Sequence, residues 1–182
     1  IKAGLGLGGV AVVGAAIDMT GLGSSDNHYL RGNYAPVLDE ITETSIKVTG
    51  TIPNDLNGLF LRNGPNPADW VNPKKHHWFL GDGMLHGIRL NEGNAVWYKN
   101  RRVLGNDSTA NTSVISHAGH TYAIVEAGGY PVEIDGELNS LDTKPFYGDR
   151  TEGFTAHPKY DADTGELHAI CYDYGNDPSN VR

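Results

Sequence analysis

At 182 residues the chain is long enough for one domain with a core of its own. Its net charge of −8, with no block of Lys and Arg and no interleaving of basic with aromatic residues, excludes a phosphate-tracking surface, so no nucleic-acid partner is expected. Cys171 is the only cysteine, which rules out an intrachain disulfide and a CxxC zinc site and predicts a buried structural thiol.

Ile1 to Ile17, IKAGLGLGGVAVVGAAI, is apolar and rich in Gly and Ala, too short and too glycine-rich for a transmembrane helix. It reads two ways. One is the hydrophobic part of a twin-arginine export signal whose arginines precede Ile1; the other is a flexible leader that brushes a membrane. The chain does not begin with Met, so further sequence upstream is expected. Asp18 to Asn27 is a polar linker by composition, and residues 1–27 are set apart from a folded portion over 28–182.

From there the turn signals come thick. Twenty-four glycines, nine prolines and short apolar runs between them favour an all-β protein. His28 to Val37, HYLRGNYAPV, leads in, with His28 at the surface. Ser45 to Gly50 reads as a β-run and Leu59 to Arg62 as a strand, closed by Asn63-Gly64-Pro65-Asn66-Pro67, a rigid corner that cannot continue a ladder. His76, His77 and His86 invite a metal reading. A hairpin with Gly81-Asp82-Gly83 as its turn accounts for their layout, and they are left off the metal list. Leu90 to Arg102 alternates after a turn at Asn91-Glu92-Gly93-Asn94, with Val96, Tyr98 and Asn100 on one face and Trp97 and Lys99 on the other; Arg101 and Arg102 end it in solvent.

Asn111 to Ile115 begins the next β-run, His117-Ala118-Gly119-His120 is a turn with exposed histidines, and Tyr122 to Glu126 is a strand. Glu126 closes the apolar run Ala123-Ile124-Val125; it either points to the surface or, if buried, needs a partner, for which a histidine ring N–H is suited. After a turn at Gly128 to Pro131, residues to Ile134 extend again and Leu138 to Arg150 make an irregular crossing. The stretch Gly153 to Tyr174, GFTAHPKYDADTGELHAICYDY, then predicts a hairpin. Pro158 biases His157 toward extended backbone, Asp161 to Gly165 make the turn, and Leu167 to Tyr174 form the return strand. His157 ends the first strand, where it could be a ligand, a general base or a buried side chain with a satisfied hydrogen bond.

Four strings decide among these. TAHPKYDADTGELHAICY around His157 closely resembles the first iron-ligand segment of the carotenoid cleavage oxygenases. IPNDLNGLFLRNGPNP and the GNYAPV segment resemble the same family, as does HWFLGDGMLH, a fold signature whose histidines are not ligands there. Many members have Asp where this chain has Leu80. The likeness runs from about Tyr29 to Tyr174.

What the resemblance implies is specific. The fold would be the first blades of a seven-bladed β-propeller, and His157 the first of four histidines holding a non-haem Fe(2+). Glu126 would stand behind the iron site, orienting one of the later ligands, and Thr112 beside the vacant coordination position. The reaction would be oxidative cleavage, by O2, of a conjugated C=C bond in a carotenoid or apocarotenoid, giving two carbonyl products. Taking up so greasy a polyene implies peripheral membrane contact, in a bacterial cytoplasm or, if the leader is an export signal, beyond it. Only His168 follows His157, on the same hairpin, so the other three ligands are expected beyond Arg182 and the chain is expected to be an N-terminal fragment. Expressed alone it should neither close a propeller nor hold iron tightly. A stilbene-cleaving dioxygenase of the same fold and a catalytically silent β-propeller binding module are the alternatives.

Overall fold

The computed structural model describes residues 27–69, 71–105, 109–126, 129–141, 154–173 and 177–181, with Tyr172 onward as backbone only. The leader and the latter part of the Leu138 to Arg150 crossing lie outside them. Among the described residues there is no α-helix, only two 3-10 turns at His28–Leu30 and Gly32–Tyr34; the rest of the regular structure is strand.

The first sheet is built from β1 (Thr42–Glu43), β2 (Gly58–Arg62), β3 (Pro65–Asn66), β4 (Asp82–Asn91) and β5 (Asn94–Arg102), in the antiparallel order β1-β5-β4-β2, with β3 on the far end of β4. The Glu92-Gly93 tip joins β4 to β5, as the Asn91 to Asn94 spacing predicts. Trp97 and Lys99 do share a face, with the Lys99 ammonium 4.8 Å from the Trp97 ring centroid.

Several local expectations need correction. The early ladder falls at Thr42–Glu43, and within Ser45 to Gly50 only Val48 makes a β-bridge. The proline corner does rejoin a ladder, since Pro65 and Asn66 pair with Gly83 and Asp82; the missing proline N–H matters little because Gly83 O opposite it accepts from Val103 N–H at 2.8 Å, and the neighbouring ladder bond runs from Met84 N–H to Gly64 O at 3.0 Å. Gly81-Asp82-Gly83 is not a hairpin turn. Residues before it form successive turns, and Asn111 Nδ2 donates to Phe79 O (3.2 Å) and Gly81 O (2.7 Å), taking acceptors a strand would need. Arg101 is not simply solvated: its guanidinium donates to Ile41 O at 2.9 Å and Thr42 Oγ1 at 2.8 Å.

Asparagine amides fasten the leading segment. Asn66 both donates to Val37 O and accepts from Val37 N–H at 2.8 Å, imitating a strand. Asn100, fully buried, accepts from Ile41 N–H (2.8 Å) and donates to Asp39 O (2.7 Å). Such buried amides are costly unless paired on both sides, and these are.

The second sheet, β6 (Ser113–His117), β7 (His120–Ile124) and β8 (Val132–Ile134), is an antiparallel meander. His117 and His120 are strand ends either side of a two-residue turn, half-buried and not exposed as read from the sequence. A third layer follows. β9 (Lys159–Tyr160) pairs with β10 (Leu167–His168) across the Asp161 turn, and β11 (Tyr172–Asp173) pairs with β12 (Asp177–Val181). The turn forms as its residues dictate: Asp161 Oδ1 accepts the N–H of Asp163 (2.8 Å) and of Thr164 (3.3 Å), and Gly165 sits at φ 76°. The long return strand Leu167 to Tyr174 is broken, with Ala169 to Cys171 outside any ladder.

The core lies between these layers. Leu85 and Trp97 of the first sheet pack with Ala123, Val132, Ile134 and Leu138 of the second unit. Leu138, at φ 71° and fully buried, is pushed against Gly87, where an added Cβ would lie 2.8 Å from its side chain. Only glycine allows that approach. The opposite face of the second sheet, through Tyr122 and Ile124, packs on Phe154 and the buried Cys171 of the third layer.

Candidate functional site

The second and third layers meet at one corner. β7 ends at Ile124, and two residues on, Glu126 turns its carboxylate toward the segment Phe154 to His157. That segment is anchored by Phe154, 3% exposed, and by Thr155 and Ala156, 5% and 3% exposed. Pro158 then holds the backbone extended into β9.

Three consecutive residues present donors to one carboxylate. Glu126 Oε2 accepts from Ala156 N–H at 2.7 Å, from the Thr155 hydroxyl at 3.2 Å and faces His157 Nδ1 at 2.9 Å. Thr155 Oγ1 in turn accepts the His157 N–H at 3.1 Å. An ionised carboxylate can only accept, so Nδ1 carries a proton, and in the neutral ring Nε2 then keeps its lone pair. The His157 side chain is 71% exposed, and its Nε2 has no hydrogen-bond partner among the described residues. His157 is thus not the buried, satisfied histidine that its sequence position also allowed.

The donor chemistry fits one metal ligand and no more. A neutral imidazole tied back at Nδ1 with Nε2 facing outward is how histidine ligands are commonly held. No group of three or more His, Cys, Asp or Glu side chains that could hold a metal occurs among the described residues. A selective Fe(2+) site needs several nitrogens, so this corner could supply one member of the set.

The predicted site residues are therefore brought together in part. Glu126 and His157 touch, whereas the resemblance assigned Glu126 to a later histidine. Thr112 lies at the adjacent end of the same β6–β7 hairpin, its N–H donating to Ile124 O at 3.0 Å and its hydroxyl to Asn111 Oδ1 at 3.1 Å. It is exposed and bonds neither Glu126 nor His157. Sequence reading missed Thr155. The signal was there in a threonine two residues before the histidine, a spacing at which a hydroxyl can accept the later N–H.

The other histidines are placed differently. His86 Nδ1 lies 2.8 Å from Tyr98 Oη; burial, and secondly Arg62, lower its pKa to about 4, which keeps it neutral. His76 is buried, and desolvation followed by His77 lowers its pKa too. His120, half-buried, faces Glu133, and His168 faces Glu166 on the surface.

The family described as retinal pigment epithelial membrane protein matches this chain over residues 34–107 and 103–182. The carotenoid cleavage oxygenase of Mycobacterium tuberculosis is 44% identical over 82% of this chain and 34% of its own length. The carotenoid 9,10(9',10')-cleavage dioxygenase 1 of Arabidopsis thaliana is 32% identical over 81% of this chain and 36% of its own. Among solved structures, the lignostilbene dioxygenase of Pseudomonas brassicacearum superposes with a TM-score of 0.68 at 28% identity, over 80% of this chain and 36% of that one. The chain spans about a third of the length of the curated relatives it matches. By these matches the chain belongs to the retinal pigment epithelial membrane protein family, the family of the carotenoid cleavage oxygenases.

Proposed function

We propose that this chain is the early part of a non-haem iron(II) dioxygenase that cleaves a conjugated C=C bond of a carotenoid or apocarotenoid with O2 to give two carbonyl products. The observation that carries the reading is the His157 ring, held at Nδ1 by Glu126 with Nε2 facing out, in a chain 44% identical to a carotenoid cleavage oxygenase. His157 would hold the iron through Nε2, with further histidines from the rest of the polypeptide and Thr112 beside the open position. When bound, the iron would supply activation of O2 next to the polyene. The chain's own residues do the positioning: Glu126 keeps the ring in one tautomer, and Phe154, Ala156 and Cys171 keep the strand behind it dry. In the whole protein the three layers would be successive blades of a seven-bladed propeller.

Peripheral membrane contact belongs to the same proposal. Trp78, Phe79, Leu80 and Tyr34 are exposed beside Lys74 and Lys75, and residues 70–81 contain no acidic side chain. Aromatic residues flanked by lysines suit a lipid interface. The lignostilbene dioxygenase likeness favours a second reading, a stilbene-type substrate cleaved by the same chemistry.

The test is incubation of the iron-loaded full-length protein with carotenoids, apocarotenals and stilbenes under labelled O2, with products identified by mass. Labelled aldehydes from the polyenes are expected. Aldehydes from stilbenes alone would move the assignment to the second reading. Iron-loaded protein that consumes neither class would leave a silent binding module.

A further inference from the structure

We infer that Asn111 is a positioning residue for Thr112: its buried amide turns the Thr112 hydroxyl inward and holds the threonine predominantly in one rotamer. That Thr112 stands beside the open coordination position rests on the function proposed above; the hydrogen bonds that orient it do not.

Asn111 is 5% exposed, and both ends of its amide are used. Nδ2 donates to Gly81 O at 2.7 Å and to Phe79 O at 3.2 Å, while Oδ1 accepts the Thr112 hydroxyl at 3.1 Å. Turned over, the amide would set its oxygen against two carbonyl oxygens. The two carbonyls therefore decide which way Oδ1 faces. Thr112 itself is exposed, and its hydroxyl has no other hydrogen-bond partner among the described residues. Rotation about its χ1 by about 120° exchanges hydroxyl, methyl and hydrogen between staggered wells. A hydrogen bond of ordinary net strength favours the well that puts the hydroxyl on Asn111 by about 2–10-fold. The methyl group then faces elsewhere.

The backbone here is held without the Asn111 amide. Gly83 N–H donates to Thr109 O at 2.8 Å, Asn63 Nδ2 to Ala110 O (2.6 Å) and Ser113 O (3.0 Å), and Thr112 N–H to Ile124 O at 3.0 Å. Losing the amide thus releases the Thr112 side chain while these bonds keep the strand end in place. In the proposed site, an inward hydroxyl offers no proton to water at the open position. Once released it can donate to a water there, and a water so held competes with an incoming small ligand.

The experiment uses the full-length protein, as the parent and with Asn111→Ala, Thr112→Val and both together. The Thr112 χ1 populations are read in metal-free protein from three-bond couplings of its 13C-labelled methyl group. Thermal melting is measured for each, and iron-loaded protein is titrated with nitric oxide, followed by electron paramagnetic resonance. We expect one predominant rotamer in the parent and divided rotamers in Asn111→Ala, with nitric oxide bound about 2–10-fold more weakly. On Thr112→Val, which has no hydroxyl to release, Asn111→Ala should add no further loss. A parent whose Thr112 already divides among wells overturns the inference, whether or not the alanine variant folds. So does an alanine variant that melts lower with its Thr112 rotamer unchanged, the mark of a purely structural amide, or one whose loss of affinity is as large on Thr112→Val. Rotamers that divide while nitric oxide affinity stays put, or a parent that takes up no iron, would overturn the place of Thr112 beside the open position and leave only the orienting role.

Discussion

Two histidine–glutamate pairs flank the second sheet, and they are chemically alike but differently built. His120 Nδ1 faces Glu133 Oε1 at 2.5 Å, and His157 Nδ1 faces Glu126 Oε2 at 2.9 Å. The first pair bridges β7 and β8 within one layer, a cross-strand contact with His120 stacked on Tyr122 at 6.0 Å between ring centroids. The second joins two layers, and its carboxylate is met by an amide, a hydroxyl and a ring nitrogen from three consecutive residues. A histidine beside a carboxylate does not by itself mark a site. What marks the second pair is that it spans two layers, with donors from three consecutive residues converging on its carboxylate.

The sharpest way to break this contrast is to remove each ring in the full-length protein. His157→Ala is expected to abolish stoichiometric iron and lower oxygen-dependent turnover by more than about a hundredfold. His120→Ala is expected to leave both within about threefold. Equal losses, read by elemental analysis and product assay, would erase the distinction. The carboxylates come next. Glu126→Gln puts an amide where donors converge, and a drop in metal affinity of about 10–100-fold is expected, against no change for Glu133→Gln.

A smaller effect comes from His86, whose Nδ1 faces the Tyr98 hydroxyl at 2.8 Å. Burial lowers its pKa from 6.5 to about 4, so the unfolded chain takes up this proton more readily than the folded one. Its contribution is full above pH 6.5 and is lost as pH falls toward 4, about 2 kcal/mol once its partial exposure is allowed for. Urea unfolding at several pH values checks this, with His86→Gln flattening the slope. The smallest effect expected is on stability from the β7–β8 pair: His120→Ala should cost less than about 1 kcal/mol in the same assay.

How far the residues alone carry the structure depends on the range of the interactions. The turns at Glu92-Gly93 and Asp161 to Gly165 were legible because backbone rules and side chains a few residues apart decide them. So was the alternation in β5. The loop before β4 was misread, because what stops it pairing is Asn111, some thirty residues away. The half-burial of His117 and His120 was missed for a similar reason: their surroundings come from other strands and layers.

The candidate site divides in the same way. The sequence by itself determined an all-β chain, the turn chemistry, a buried lone cysteine and, through the TAHPK and NGPNP strings, the family and His157 as the residue to watch. Only the tertiary structure decided that Glu126 reaches His157 itself, that Thr155 links the two, and that Thr112 bonds neither. The reason is distance along the chain. Glu126 and His157 are 31 positions apart, and no local propensity records which strand end a carboxylate will face once two layers have packed.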